Sequence, residues 1–317
     1  MAGGPAEPRR ARLQAAVRAP IFLPGGRPPG RACEEAVIQG KVVVITGATS
    51  GIGQVAAERL AAMGARIVQV ARDAARGEAA LARLAALAPG AAHRVHYADL
   101  SRLAEMKRVA AEITAAEPRI DVLINNAGAI FARRQVTEDG LERTFALNHL
   151  SYFVLSAGLR ASLAAAAPAR IVNTASDAHY RGHLDFADLQ AARRYDPYRV
   201  YGTSKLCNIL FTRALARRLA GSGVTANALH PGFVATRFGD QSGGVYTWGI
   251  RFAKLFAISP QEGAKTIVYL ASAPDVAAAN GGYFEKCRPS AVSAQAADEE
   301  AAQRLWQASE AISGVRW

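Results

Sequence analysis

The sequence predicts a doubly wound α/β fold with a mostly parallel sheet in a single domain. The first observation is that short runs rich in β-branched residues alternate with helical patterns from Lys41 onward. The second is that these runs are apolar along most of their length, which is typical of strands covered by helices on both faces. The third is that a glycine-rich turn and a helix follow the first run. Alternation of this kind predicts parallel strands joined by helices.

The predicted elements follow one another along the chain. The strands are expected at Lys41–Thr46, Arg66–Ala71, Arg94–Tyr97, Val122–Asn125, Arg170–Asn173 and Val224–Leu229. The best-defined helical patterns are Gln54–Met63, Ala74–Ala88 and Val200–Leu219. Neither an internal repeat nor an interior linker interrupts this order, so we expect one Rossmann-fold domain over residues 39–317.

Residues 1–38 differ in composition from the rest of the chain. Pro, Gly, Ala and Arg dominate, and six Arg minus three Glu leave the segment at +3. Such a segment buries too little apolar surface to offset its ordering entropy, so we expect a flexible extension. A targeting peptide or a basic arm that contacts nucleic acid is the alternative, but the acidic residues and the many Pro and Gly residues disfavour one amphipathic helix.

Charge and cysteine content limit the possible partners. The 317 residues include 38 Lys and Arg against 26 Asp and Glu, a net charge of +12, which by itself favours a polyanion. The cations are spread over most predicted helices, so we expect no nucleic-acid partner. Three distant cysteines form no CxxC pair, which disfavours a zinc site or disulfides and fits a cytoplasmic location. The sequence has no apolar run long enough for a transmembrane anchor, and its N-terminus has no hydrophobic run typical of a signal peptide. We therefore expect neither feature.

The glycine-rich turn is TGATSGIG at Thr46–Gly53. Glycine residues permit a tight turn and a close approach of the backbone to a pyrophosphate, whose charge then meets the N-terminus of the following helix. The motif lacks the Lys-Ser/Thr ending of a P-loop, which disfavours ATP or GTP. The residues expected to form this pyrophosphate site are Gly47, Thr49, Ser50, Gly51, Ile52 and Gly53.

Two side chains of one predicted helix suit proton transfer. Tyr201 and Lys205 are four positions apart and therefore lie on one helical face. The pKa of a phenol is near ~10, too high for a base at neutral pH, and a neighbouring ammonium lowers it. Ser176 follows a predicted strand at the edge where open α/β sheets bind ligands, so its hydroxyl could hold a substrate oxygen. Asn148 lies in a helical run, where a polar residue needs a structural reason.

These motifs occur in a fixed order. They are TGATSGIG at 46–53, ADLS at 98–101, NNAG at 125–128, Asn148, TAS at 174–176, YGTSK at 201–205 and PG at 231–232. Over about residues 40–290 the chain resembles the short-chain dehydrogenase/reductase family. The stretches YRVYGTSKLCNILFTRALARRL and GGYFEKCRPS are similar to its retinol-dehydrogenase-like branch, as is the spacing of 25 positions between Ser176 and Tyr201. The resemblance implies hydride transfer between a nicotinamide cofactor and a carbonyl or alcohol, with Asn148, Ser176, Tyr201 and Lys205 as catalytic residues.

The resemblance also implies further contacts with the cofactor. It places Asp99 and Leu100 at the adenine, Asn126, Ala127 and Gly128 at the adenine ribose, and Pro231, Gly232, Val234 and Thr236 at the nicotinamide carboxamide. Ala71 stands where NAD-dependent members carry an acid, and Arg72 follows it. A guanidinium suits the additional phosphate of NADP, so we expect NADP(H) to be preferred over NAD(H). The alternative is that Arg72 forms a solvated charge pair with Asp73.

Two remaining segments bear on the substrate and on metals. Residues 237–260 contain an aromatic stripe, Trp248, Phe252 and Phe256, which we expect to form a substrate lid over a bulky apolar aldehyde, ketone or alcohol of retinoid, steroid or lipid type. Packing in the core or in an oligomer, and a helix on a membrane surface, are alternatives. His179 and His183 lack a third ligand, so we expect solvated loop histidines and no metal. For the whole chain, a non-catalytic NADP-binding regulator or scaffold is the alternative to an enzyme.

Overall fold

The computed structural model describes residues 38–233 and 258–317. The strands are β1 (Val42–Thr46), β2 (Arg66–Ala71), β3 (Arg94–Tyr97), β4 (Val122–Asn125), β5 (Ala169–Thr174), β6 (Val224–His230), β7 (Tyr283–Glu285) and β8 (Arg288–Pro289). The α-helices are α1 (Gly51–Ala62), α2 (Ala74–Leu87), α3 (Leu103–Ala116), α4 (Arg143–Phe145), α5 (Ser151–Gly158), α6 (Arg160–Ala165), α7 (Pro197–Arg218), α8 (Pro260–Gly263), α9 (Lys265–Ser272), α10 (Ala294–Ala297) and α11 (Glu299–Ser313). A π-helical turn, Ala146–Leu150, joins α4 to α5, and short 3₁₀ helices span Asp177–Arg181 and Pro274–Val276.

The eight strands form one sheet in the order β3-β2-β1-β4-β5-β6-β7-β8. All neighbouring strands are parallel except β7 and β8, which are antiparallel. Strands β2 and β3 lie on one side of β1, and β4 lies on its other side. The strand order therefore reverses between β1 and β4, and a crevice opens at the carboxyl ends of these two strands, where such folds bind ligands. The prediction of a doubly wound, mostly parallel sheet in a single domain is confirmed.

Both faces of the sheet are covered by helices. Along β1, Val44 packs into a core with α3, α5, α7 and α11, whereas Val43 and Ile45 face the opposite core, which α1 and α9 close. All three side chains are fully buried. Burial on both faces explains why the strands are apolar without alternation.

Several boundaries differ from the predicted ones for identifiable reasons. Helix α1 begins at Gly51 rather than Gln54, because Ser50 is already the extended N-cap residue. Helix α7 begins at Pro197 rather than Val200, because the Asp196 side chain accepts the Arg199 amide at this helix start and proline fits the first turn. The short strands β7 and β8 were not predicted, since runs of two or three residues carry no periodicity.

Some sequence-based predictions lie outside the described residues. They concern the N-terminal extension apart from Ile38, and most of the expected lid with its three aromatic residues. Val234 and Thr236 of the expected carboxamide segment also lie outside. Within the two described ranges, the search for a helix long and apolar enough to cross a membrane finds none.

Candidate functional site

The glycine-rich turn between β1 and α1 packs closely against the residues that follow β4. Gly47 has φ +69°, a conformation that side chains disfavour, and a Cβ atom there would lie 2.9 Å from the Cα of Ala127. A Cβ atom on Gly53 would lie 2.3 Å from the carbonyl oxygen of Gly47. The two glycines therefore allow the turn to lie against the residues that follow β4.

The N-terminus of α1 is arranged to receive an anion. Ser50 is the N-cap residue, but its side chain makes no capping hydrogen bond, and the first turn contains no acidic residue. The first amide groups of an α-helix have no intrahelical acceptor, and the helix dipole adds positive potential at this end. In the 12-residue α1 these groups lie at the carboxyl edge of the sheet, beside Thr49 and Ile52, so they suit a phosphate.

Thr46 links the ends of β1 and β4, a role that the sequence analysis missed. Its Oγ1 atom accepts hydrogen bonds from the backbone N–H groups of Asn126 and Ala127, both at 2.9 Å. The Asn126 side chain returns a hydrogen bond from Nδ2 to the Thr46 carbonyl oxygen at 3.1 Å. The NNAG segment is thereby fixed against the glycine-rich turn. A buried threonine at a strand end is too common for its sequence to reveal this role.

The end of β2 presents a cation whose neighbouring acid is already engaged. Asp73 is the N-cap of α2, and its carboxylate accepts the Arg76 amide at 2.9 Å. Arg72 is exposed, and within the described part of the chain it forms no ion pair with Asp73 or another carboxylate. Burial acts to raise the pKa of Asp99, but hydrogen bonds from Ser101 and the charges of Arg143 and Arg72 bring it below its usual value. Arg72 is thus close to Asp99 and available to an anionic ligand.

Asn148 joins two elements of the site through its amide group. Its Oδ1 atom accepts the backbone N–H of Ala129, and its Nδ2 atom donates to the carbonyl oxygen of Ala129, both at 2.9 Å. Nδ2 also donates to the Ser204 hydroxyl on α7 at 3.0 Å. Asn148 is fully buried in the π-helical turn, a helix irregularity common at functional sites. These bonds are the structural reason for a polar residue at this position.

Tyr201 and Lys205 lie one turn apart on α7, as predicted. Lys205 is buried, and its Nζ atom donates to the carbonyl oxygen of Thr174 at 3.0 Å and lies 5.5 Å from the centre of the Tyr201 ring. Burial lowers the pKa of Lys205 to about 7. Burial also raises the pKa of Tyr201; hydrogen bonding with Ser176 opposes this, and the charge of Asp177 adds to it.

The expected lowering of the Tyr201 pKa by Lys205 is therefore wrong for the polypeptide alone. Desolvation disfavours the phenolate and the ammonium at the same time. The Lys205 ammonium donates to the backbone carbonyl of Thr174. That carbonyl also accepts the Asn208 amide at 3.3 Å, so it anchors α7 to the end of β5. Backbone acceptors of this kind carry no sequence motif.

Ser176 lies where β5 gives way to a short 3₁₀ helix. Its hydroxyl accepts the Ala178 amide at 3.1 Å and donates to Asp177 Oδ1 at 3.0 Å. The hydrogen bonding between Ser176 and Tyr201 brings the two hydroxyl groups together, as their assignment requires.

The remaining expected cofactor residues lie along the same edge. Gly128 lies beside two of the expected catalytic side chains, because a Cβ atom there would lie 3.3 Å from Asn148 Oδ1 and 3.5 Å from Lys205 Nζ. Leu100 is buried beside Asp99. Pro231 and Gly232 follow β6, and Gly232 has φ +88°.

One histidine differs from its expected environment. His179 is buried rather than solvated, because Nδ1 contacts the carbonyl oxygen of Ser176 at 2.7 Å and Nε2 accepts the Ser293 amide at 3.2 Å. The 3₁₀ helix turns its side chain inward against Tyr283. His183 is exposed, as predicted. In the ranges that the structure describes, groups of three His, Cys, Asp or Glu residues positioned to hold a metal ion are not found.

A helix end that suits a phosphate and a cluster of Ser176, Tyr201 and Lys205 thus lie at the crevice of a Rossmann sheet, an arrangement typical of dinucleotide-dependent oxidoreductases. The comparison with known families makes the class specific. The sequence profile described as short chain dehydrogenase matches residues 41–243, and the chain belongs to this family. Within it, the chain belongs to the retinol-dehydrogenase-like branch.

The relatives cover most of the chain. Human "Retinol dehydrogenase 13" is 39% identical over an alignment of 310 residues, which covers 95% of this chain and 92% of the relative. A crystal structure of an uncharacterized protein from Mycobacterium Paratuberculosis has a TM-score of 0.72 and 32% identity, with 90% of this chain and 97% of that chain covered. The Pseudomonas aeruginosa RhlG/NADP active-site complex has a TM-score of 0.63 and 27% identity, with 78% and 94% covered. The resemblance stated from the motifs is confirmed.

Proposed function

We propose that this short-chain dehydrogenase transfers a hydride between NADP(H) and the carbonyl or alcohol carbon of a bulky apolar substrate. The observation that carries the proposal is the joint placement of the Ser176 and Tyr201 hydroxyls at the carboxyl edge, with the buried Lys205 ammonium one helical turn away. A non-catalytic NADP-binding protein has no need of this cluster. Asn148, Ser176, Tyr201 and Lys205 are the proposed catalytic and site-forming residues.

The residues present fit a nicotinamide cofactor. The N-terminus of α1 offers amide groups to the pyrophosphate, with Gly47, Thr49, Ser50, Gly51, Ile52 and Gly53 forming the turn. Gly128 leaves the space beside Lys205 Nζ free of a side chain, and Lys205 has donors beyond the one that Thr174 accepts. Asp99, Leu100, Asn126 and Ala127 are the proposed contacts on the adenosine side; Pro231, Gly232, Val234 and Thr236 are those at the carboxamide. When bound, the cofactor supplies the hydride for reduction or accepts it from an alcohol.

In carbonyl reduction, the Ser176 hydroxyl would turn its proton from Asp177 Oδ1 to the carbonyl oxygen, and Tyr201 would donate its phenolic proton to that oxygen as negative charge develops there. Burial keeps the Tyr201 phenol protonated, which suits a proton donor. In alcohol oxidation, the same phenol must first lose its proton, so the ammonium form of Lys205 is needed to stabilise the phenolate. Asn148 positions Ser204 and the chain after β4, and thereby supports α7 beneath the two catalytic side chains.

The proposed preference for NADP(H) rests on Arg72. Because the Asp73 carboxylate caps α2, the Arg72 guanidinium can donate its hydrogen bonds to the additional phosphate of NADP. Ala71 provides no carboxylate for the ribose of NAD. The solved RhlG/NADP complex, to which this chain is similar, supports the same preference.

The proposed substrate class and location rest on other observations. The name retinol dehydrogenase, which the relatives carry, supports a bulky apolar aldehyde, ketone or alcohol, and so does the aromatic stripe expected in the lid. The odd number and wide spacing of the cysteines support a cytoplasmic location, as do Cys207 and Cys287, which are free thiols.

A substrate and cofactor panel tests this function. Purified protein is mixed with NADPH or NADH and with a polyene aldehyde, a steroid ketone or a short aliphatic aldehyde, and loss of reduced-cofactor absorbance is followed. We expect kcat/KM to be at least about tenfold higher with NADPH than with NADH. We expect a similar preference for the polyene aldehyde and the steroid ketone over the short aliphatic aldehyde. Binding of NADPH without turnover of any carbonyl or alcohol would instead support the non-catalytic alternative. A preference for NADH would contradict the role of Arg72.

A further inference from the structure

Asp177 places a carboxylate directly beside the catalytic serine. Its Oδ1 atom accepts the hydrogen bond of the Ser176 hydroxyl at 3.0 Å. Its side chain is 68% exposed at the carboxyl edge of the sheet, so water or a bound ligand can reach the carboxylate. Any substrate whose oxygen contacts the Ser176 and Tyr201 hydroxyls therefore lies within a few ångströms of this carboxylate.

The charge of Asp177 is not balanced by the described elements around it. His230, at the end of β6, has Nε2 3.8 Å from Asp177 Oδ2, and its Nδ1 atom accepts the Asp177 amide at 3.3 Å. Burial lowers the pKa of His230, although Asp177 and Glu285 act to raise it, so the ring is neutral at neutral pH. Lys286 pairs with Glu285 at 3.5 Å. Within residues 38–233 and 258–317, ion pairs of Asp177 with lysine or arginine are not found.

The other titratable groups around Asp177 do not supply a positive charge either. Burial lowers the pKa of His179, on the same 3₁₀ helix, and therefore favours its neutral form. Tyr283 on β7 and Tyr201 on α7 are phenols, and the charge of Asp177 adds to the burial that raises the pKa of each. Within the described residues, the carboxylate thus accepts the Ser176 hydrogen bond without a cation beside it, and its remaining lone pairs can accept further hydrogen bonds.

We infer that Asp177 determines substrate specificity by accepting a hydrogen bond from a hydroxyl or ammonium group close to the reacting carbon of the substrate. The inference rests on the proposed function and refines it: the substrate has an apolar body but a polar donor near its carbonyl. A wholly apolar substrate would remove water from the carboxylate without replacing its hydrogen bonds, which is unfavourable. A donor in that position replaces the lost water, and an ammonium also neutralises the charge.

Matched carbonyl substrates test this inference with the intact enzyme and NADPH. One pair differs only in a hydroxyl or methyl group on the carbon next to the carbonyl, and a second pair carries an aminomethyl or ethyl group there. Wild type is compared with Asp177→Leu and Asp177→Asn. The control is Asp185→Asn, because Asp185 is likewise an exposed carboxylate that accepts a nearby backbone amide, from Ala187 at 2.9 Å.

Wild type and Asp185→Asn are expected to prefer the donor-bearing member of each pair by about tenfold in kcat/KM. Asp177→Leu is expected to abolish or reverse both preferences. Asp177→Asn is expected to keep part of the hydroxyl preference but to lose the ammonium preference, since it retains an acceptor without the charge. This second variant also serves if Asp177→Leu folds poorly.

The outcomes separate the inference from the function on which it rests. Turnover with equal preferences in wild type and both Asp177 variants would overturn the inference alone. Equal losses of activity on both members of a pair would assign Asp177 a structural role in the 3₁₀ helix and would also overturn it. Failure of wild type to turn over any carbonyl with either cofactor would overturn the proposed function, and the inference with it.

Discussion

Lys205 Nζ lies 5.5 Å from the centre of the Tyr201 ring and donates its hydrogen bond to the Thr174 carbonyl oxygen at 3.0 Å. Burial moves the pKa of each side chain away from its charged form, to about 7 for the lysine. Tyr201 is therefore a neutral phenol, and the neighbouring Lys205 ammonium loses its proton more easily than an exposed lysine does. A positively charged group bound beside Tyr201 would favour the phenolate, so the state of the cofactor can govern this proton.

The lowered pKa of Lys205 predicts a pH dependence of stability. Between about pH 7 and about pH 10 the unfolded chain holds the Lys205 proton and the folded chain does not, so the free energy of unfolding contributed by this group rises with pH. In Lys205→Met this contribution disappears. The slope of the unfolding free energy against pH between about pH 7 and about pH 10 then falls by the amount that corresponds to about one bound proton. Urea unfolding of the cofactor-free protein at several pH values measures it.

The control for this prediction is Lys107→Met, which removes an exposed lysine. Its slope is expected to equal that of wild type. Equal slopes for wild type and Lys205→Met would show that the buried lysine keeps an ordinary pKa.

Asn148 is expected to matter for both stability and catalysis. Asn148→Ala leaves the N–H and C=O groups of Ala129 and the Ser204 hydroxyl without their amide partner in a buried place, at a cost of about 2–3 kcal/mol of unfolding free energy. Displacement of α7 should also lower kcat by at least about tenfold, because Ser204 lies on that helix between Tyr201 and Lys205, the two proposed catalytic side chains. Urea unfolding and steady-state kinetics measure the two effects.

A matched control separates the two effects of Asn148. Asn280 also bridges main-chain groups, with Oδ1 accepting the Ala226 amide and Nδ2 donating to the Ala216 carbonyl oxygen, but it belongs to the loop before β7. Asn280→Ala should reduce stability and leave kcat unchanged at a temperature where the protein is folded. If both variants lose stability but retain kcat, Asn148 has only a structural role.

Arg72 is expected to set the choice between cofactors. Arg72→Ala should weaken the binding of NADPH by about tenfold or more and change NADH binding little, because only NADPH carries the phosphate. The loss should shrink at high salt, since the guanidinium is exposed. Dissociation constants for both cofactors, measured by fluorescence, provide the test.

Arg76→Ala is the control for Arg72, because Arg76 is an exposed cation in the first turn of α2. This variant should retain the wild-type preference. An equal loss in both variants would indicate general electrostatic attraction to the basic surface. No loss in Arg72→Ala would show that the phosphate is bound elsewhere.

The sheet could be predicted from the sequence because strands that are buried on both faces consist of nearly continuous apolar runs. The limits of β2, β3 and β4 agree with the predicted ones. Strands β2 and β4 are mostly apolar, buried runs bounded by turn residues. The glycine-rich turn was predictable for a similar reason, because Gly47 needs a backbone conformation that few other residues adopt.

The chemical environment of the site could not be predicted in the same way. The acceptor of Lys205 is a backbone carbonyl, at Thr174, and the burial of His179 depends on Ser293, 114 positions away. The hydrogen bond between Asp177 and Ser176 is local, but whether the Asp177 charge is balanced depends on His230, at the end of β6. Spacing within the sequence defines faces of helices and ends of strands, whereas desolvation depends on what the rest of the chain places around them.

The most direct test of the account is a single-turnover hydride transfer with Tyr201→Phe beside wild type. NADPH carrying deuterium at the transferred position is mixed with excess enzyme and a bulky aldehyde, and the product alcohol is analysed by mass spectrometry. Wild type is predicted to place one deuterium on the carbinol carbon, whereas Tyr201→Phe should do so at least about a hundredfold more slowly while binding NADPH normally. Deuterium transfer at equal rates in the two proteins would contradict the role of Tyr201 as proton donor, and unlabelled alcohol from wild type would contradict hydride transfer from the cofactor.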